Sequence, residues 1–267
     1  NQLNYLQDAE PAYNVGNQSS DNYKYNAIGA LVQDNELDIH NITWNRFNKP
    51  QSLEQSNKEY HYAYSPLGYK LIEKAAKYSN YYVYDATGNI QAQYRISGDS
   101  VFVNNRVLYG AKRLGLVANS FFIATKPNRA VFGPENLTLT NIPISHFNHR
   151  RPLGRYYTLE LGNKQYELSN HLGNVQAVIS DRKLPVLKNG FIAKYKADLQ
   201  SSKEYYPFGM VLYDSSLVSY NYGFNGKPHD FGISSWQDYG FRFYDTRFPR
   251  FLSVDPITAS YPELTPY

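Results

Sequence analysis

Three segments of the chain share one register: Tyr23-Lys24-Tyr25-Asn26-Ala27-Ile28-Gly29, Tyr62-Ala63-Tyr64-Ser65-Pro66-Leu67-Gly68 and Tyr82-Val83-Tyr84-Asp85-Ala86-Thr87-Gly88. Each reads Tyr-x-Tyr-(Asn/Ser/Asp)-x-x-Gly. Tyrosines two apart point to the same face of a strand, and the polar residue that follows can bond its own backbone and start a turn. Glycine then supplies the positive φ the turn needs, and an apolar residue resumes the next strand. The unit is therefore strand, turn, strand. A degenerate copy at Asn170-His171-Leu172-Gly173-Asn174-Val175 keeps the polar residue and the Gly-Asn pair. The step from Tyr25 to Tyr64 is 39 residues and from Tyr64 to Tyr84 it is 20, so the spacing reads as two units and then one. A lone hairpin cannot bury its apolar face whereas stacked hairpins can, and an array is the expected outcome.

Composition agrees. The 267 residues include 27 Tyr, 14 Phe, 17 Gly and 14 Pro, a mixture suited to pleated surfaces joined by many turns. Asp99–Val103 and Asn174–Ile179 alternate like strands, and no segment sustains a 3.6-residue period. Leu71–Tyr78 could make two helical turns and equally well a strand. The stretch near 119–151, with Pro127, Pro134 and Pro143, falls out of register and reads as a long connection or insertion. A net charge of +4 with scattered basic residues argues against a nucleic-acid partner, and His149, Arg150, Arg151 and Arg155 read as a solvated loop. The absence of cysteine excludes disulfides and thiolate chemistry. No run is long and apolar enough for a spanning helix, so no membrane insertion is expected. The chain opens Asn1-Gln2-Leu3 without Met, which reads as a piece of a longer protein.

The C-terminal quarter carries the most specific pattern. Asp238-Tyr239-Gly240-Phe241-Arg242-Phe243-Tyr244-Asp245-Thr246-Arg247-Phe248-Pro249-Arg250-Phe251-Leu252-Ser253-Val254-Asp255-Pro256 resembles the RHS-repeat-associated core motif, with Thr246 and Pro249 where that motif has Pro and Gly. Tyr205-Tyr206-Pro207-Phe208-Gly209-Met210 and Tyr222-Gly223-Phe224-Asn225-Gly226-Lys227 resemble the signatures that precede that core. Asn170–Val175 resembles a further element, and Tyr261-Pro262 with Thr265-Pro266-Tyr267 resembles the tail of the branch found with type 9 secretion.

The resemblance to RHS/YD-repeat proteins implies an all-β fold, a spiral array of antiparallel β-hairpins forming part of a shell, with a C-terminal closing element. It divides the chain into an array over 1–203 and a core segment over 204–267. It also implies a secreted or surface location and a scaffold role, in which the shell encapsulates or presents a toxin or effector lying beyond Tyr267. The implied partners are the remaining repeats and that effector, together with an immunity protein or secretion machinery. No cofactor is implied. The expected turn residues are Gly29, Gly68, Gly88 and Gly173; the expected core residues are Asp238, Tyr239, Gly240, Arg242, Tyr244, Asp245, Arg247, Arg250, Phe251, Asp255 and Pro256.

Some relatives cut themselves with a pair of aspartates, and Asp255 stands at the first such position. Two carboxylates must share a proton for that chemistry. Only one is present, and the Arg that precedes the Asp in self-cleaving relatives is here Val254. Arg250 is the candidate helper, and a turn role for Asp255 ahead of Pro256 is the favoured reading. His146, His149 and His171 lack the spacing of a helical metal site. Exposed tyrosine rows also suit a glycan-binding adhesin, the second functional reading, against cross-strand ladders as their structural use. Phe241 and Phe243 are expected on one apolar face of a strand, with Arg242 and Tyr244 opposite and Phe248 and Phe251 as further anchors.

Overall fold

The computed structural model describes residues 2–7, 17–118, 121–125, 161–230 and 232–260. Among these the fold is all-β, without an α-helix. The strands are β1 (Tyr23–Tyr25), β2 (Leu31–Asp34), β3 (Ile39–Trp44), β4 (Pro50–Gln55), β5 (Lys58–Tyr64), β6 (Lys70–Lys74), β7 (Ser79–Tyr84), β8 (Ile90–Ser97) and β9 (Ser100–Tyr109). They continue with β10 (Arg113–Val117), β11 (Phe121–Thr125), β12 (Lys164–Ser169), β13 (Val175–Lys188), β14 (Phe191–Tyr205), β15 (Val211–Asp214), β16 (Trp236–Asp238), β17 (Phe243–Asp245) and β18 (Arg250–Phe251). The segment with helical potential, Leu71–Tyr78, starts inside β6. The irregular stretch near 119–151 and the histidines His146 and His149 lie almost wholly outside the described residues, as does the tail from Tyr261.

The chain forms two compact units, one of residues 1–76, 167–179 and 199–267, the other of 77–166 and 180–198. The expected division at 203/204 runs inside the first. In that first unit β1 to β6 pair in sequence order, every pair antiparallel. In the second, β7 pairs β8, β8 pairs β9, and β9 takes both β10 and β11.

The repeat turns are chemically alike. At Asn26 the backbone N–H bonds the Ala30 carbonyl and the Gly29 N–H bonds the Asn26 carbonyl, while Asn26 Oδ1 accepts from Ile28 and Ala30 N–H. Ser65, Asp85 and Asn170 make the same pair of backbone bonds, and each side chain accepts from the residue four ahead. Gly29, Gly68, Gly88 and Gly173 all sit at φ between +83° and +89°, where a Cβ is penalised. This is a turn closed by a glycine bulge. The register shifts at the same place in the three Tyr-x-Tyr hairpins, beside Tyr25, Tyr64 and Tyr84.

A fifth turn, absent from the sequence reading, completes the period. Asn45 N–H bonds the Lys49 carbonyl, Asn48 N–H bonds the Asn45 carbonyl, and Asn45 Oδ1 accepts from Phe47 and Lys49 N–H. Trp44 replaces the second tyrosine and Asn48, at φ +55°, replaces the glycine. Asparagine tolerates that conformation better than most residues. The turns at Asn26, Asn45, Ser65 and Asp85 are thus 19, 20 and 20 residues apart, and the 39-residue step is two ordinary units.

Candidate functional site

The four motifs of the C-terminal region converge in the first unit. Asn174 Oδ1 accepts from the Asn225 N–H, and the Val175 N–H bonds the Gly223 carbonyl, joining the His171-Leu172-Gly173-Asn174 turn to the Gly223–Lys227 turn. Gly209 lies against the Phe224 ring so closely that a Cβ would sit 2.5 Å from it. Tyr244 Oη donates to the Phe208 carbonyl at 2.8 Å, and Asn225 Nδ2 donates to Tyr239 Oη at 3.1 Å. Each signature therefore supplies a turn that another signature grips.

This closing element covers the apolar face of the N-terminal hairpins. Ile233, Trp236, Phe243, Phe248 and Leu252 form one cluster with Tyr23, Leu31, Ile39, Ile42, Leu53 and Tyr62. Trp236 and Phe243 are fully buried, their rings edge-on at 6.3 Å. Phe248 meets the Tyr23 ring at 5.0 Å. Backbone bonds continue the contact: the Leu31 N–H bonds the Leu252 carbonyl, and Ser253 Oγ donates to the Asn48 carbonyl.

The expected pairing of Phe241 with Phe243 is corrected here. Phe241 is 79% exposed. Gly240, at φ +94°, and the bond from Tyr239 N–H to the Arg242 carbonyl make a turn with Phe241 at its tip. The strand starts only at Phe243, and all three residues of β17 are buried. Phe251 is half-buried, and the Arg242 guanidinium lies 3.7 Å over its ring.

Buried charge accompanies the apolar contact. Asp245 and Asp34, both fully buried, share the Arg247 guanidinium, and Trp236 Nε1 donates to Asp245 at 3.0 Å. Burial alone would lower the pKa of Arg247, but the two carboxylates outweigh it and raise it. Burial raises that of Asp245 against the pull of Arg247. A cavity of about 310 Å³ beside Arg247 is lined by Gln18, Met210, His229, Ser235 and Thr246. With its guanidinium already facing two carboxylates, Arg247 offers no net positive charge there to an anionic ligand.

A second group lies on β6. Lys70 Nζ is 2.6 Å from Asp230 Oδ2 and 3.6 Å from Glu73 Oε2. Lys49, from the Asn45 turn, donates to the Gly68 carbonyl and lies 3.5 Å from Asp238. Burial lowers the Lys49 pKa, and Asp238 opposes that.

Asp255 is held by Arg242 at 2.7 Å, a residue brought back by the Gly240 turn; Arg250, the expected helper, lies in β18. Asp255 Oδ1 accepts the Ile257 N–H, and its carbonyl accepts from Thr258, so the residue organises the turn around Pro256. His171 lies in the exposed Asn170 turn. Among the described residues no three His, Asp or Glu side chains converge as a metal site. No described helix is long and apolar enough to cross a membrane, which says nothing of β-barrel spans.

No protein-family model and no curated protein matches the chain. Solved structures do. The crystal structure of TcdB2-TccC3 is similar at 15% identity and a TM-score of 0.52, and that of TcdB2-TccC3-Cdc42 at 15% and 0.54. Each match covers 87% of this chain and 10% of the other, so the chain spans about a tenth of the length of the structures it resembles. What this likeness carries is the fold.

Proposed function

We propose that the chain is a structural scaffold: part of a secreted RHS/YD-repeat shell whose closing element fastens the hairpin array and holds a polypeptide of the same parent protein. The observation that carries this reading is the single core in which Trp236, Phe243, Phe248 and Leu252 complete the apolar face of β2 to β5. A mobile tail would leave that face open. The all-β fold shared with TcdB2-TccC3 is what such a shell requires, and the convergent core signatures support the reading. In this reading the partners are further repeats and a toxin or effector, and Asp255 works as a turn residue paired with Arg242.

The test is limited proteolysis of the parent polypeptide, with the region downstream of Tyr267 followed by mass spectrometry. Retention of a cleaved downstream segment on the folded scaffold is the expected result. Prompt release of that segment, together with glycan-array binding lost on changing exposed tyrosines such as Tyr195 and Tyr213, would favour the adhesin reading instead.

A further inference from the structure

Lys70, Glu73 and Asp230 owe their meeting to the repeat register. Tyr62 pairs with Glu73 and Tyr64 pairs with Lys70, and the shift between Ala63 and Tyr64 leaves one extra residue on β6. The bulge brings two residues that are three apart onto one face, whereas a regular strand would point them to opposite sides. Asp230 reaches the same place from the closing element, 160 residues away. The side chains of Glu73 and Asp230 are fully buried and that of Lys70 is 9% exposed. Aromatic rings wall the group: Lys70 Nζ lies 5.1 Å from the Tyr62 ring centroid and 5.4 Å from that of Phe243.

We propose that Lys70 and Asp230 condense into an intramolecular isopeptide bond, with Glu73 as the proton carrier. The two Asp230 oxygens are treated differently by their surroundings. Oδ2 faces the Lys70 amine, while Oδ1 accepts from Tyr62 Oη at 3.1 Å and from the Gly232 N–H at 3.1 Å. Two fixed donors on one oxygen are what a developing oxyanion requires.

The step balances without any co-reactant. A proton passes from the Lys70 ammonium to Oδ2 along their 2.6 Å contact, leaving an amine beside a neutral acid, a transfer that removes two buried charges. The nitrogen lone pair attacks Asp230 Cγ, and negative charge gathers on Oδ1 between Tyr62 and Gly232. The nitrogen, now positive, gives a proton to Glu73. Glu73 passes it to the Oδ2 hydroxyl, the Cγ–Oδ2 bond breaks, and one water leaves as the amide carbonyl forms on Oδ1. Glu73 ends as it began. In the starting state burial would depress the Lys70 pKa, but Asp230 and Glu73 outweigh it and raise it, so the amine begins protonated and must first give its proton to Asp230. Positioning favours condensation, since oriented intramolecular partners reach effective molarities of about 10⁵–10⁸ M.

The test is the intact mass of the purified, folded chain under denaturing conditions, followed by tryptic mapping. The expected mass is that of the sequence less one water, with a joined peptide containing an uncleaved Lys70 and Asp230. Lys70→Arg and Glu73→Gln should restore the full mass. The proposal fails if the folded chain keeps its full mass after prolonged incubation, or if the lost water maps elsewhere. Should a variant fail to fold by circular dichroism, the joined peptide of the unaltered chain decides alone.

Discussion

Phe241 and Phe243 are two positions apart, and simple strand alternation would make them equivalent. In the fold Phe243 is fully buried against Trp236 and the Lys70 group, while Phe241 stands at a turn tip, 79% exposed. Truncating Phe243 to Ala loses the transfer free energy of a buried ring and leaves a cavity in a core that spans β2 to β17. Both losses together amount to about 3–5 kcal/mol. Phe241→Ala removes a ring that water already reaches and should fall within about 0.5 kcal/mol of the parent. Urea unfolding followed by tryptophan fluorescence reads both, because Trp236 reports on this core and Trp44 borders it; a shift in midpoint at constant slope is a change in stability. Equal losses for the two variants would restore a regular strand through Phe241, and no loss at Phe243 would show that the closing element is not packed on the hairpins.

Further outcomes follow from the turns and the buried groups. Gly88→Val and Asn48→Val should each cost roughly 1 kcal/mol or more in thermal or urea unfolding, since both positions hold positive φ, whereas Asn48→Gly should keep its turn. Hydrogen bonds from the Thr87 side chain and the Asn89 backbone lower the Asp85 pKa to about 2, so a carboxyl-carbon NMR titration should place its midpoint there; a midpoint near 4 would contradict the turn. Burial, reinforced by Lys203, lowers the His229 pKa to about 4. The unfolded chain therefore takes up that proton first, and stability falls as pH drops from about 6.5 toward 4, by about 3 kcal/mol from this residue. The raised pKa of Asp245 acts in the opposite sense, so the diagnostic is a flatter stability profile over that window in His229→Gln.

The turns were legible because their chemistry is local. Gly29, Gly68, Gly88 and Gly173 could be placed from a polar residue three positions earlier. The Asn45 turn escaped because Trp44 and Asn48 fill the same backbone with different side chains, and the 20-residue spacing was the signal that could have found it. The interactions that build the closing element are non-local: Asp34 meets Arg247 across 213 positions, and Asp230 meets Lys70 across 160. Spacing cannot reveal such pairs. The Lys70 and Glu73 juxtaposition needed the bulge beside Tyr64, and the exchange of Arg250 for Arg242 at Asp255 needed the Gly240 turn. In the first case one residue of register reverses a side chain's direction; in the second a chain reversal carries Arg242 back.

Sharing one apolar core, the closing element and the N-terminal hairpins should unfold as one cooperative body. Native-state hydrogen exchange of the full chain, followed residue by residue under increasing denaturant, tests it most directly. The amides of Trp236 to Asp245 should be protected as strongly as those of β2 to β5, and both sets should be lost at one denaturant concentration. Rapid exchange over β16 to β18 while β2 to β5 stay protected would contradict it.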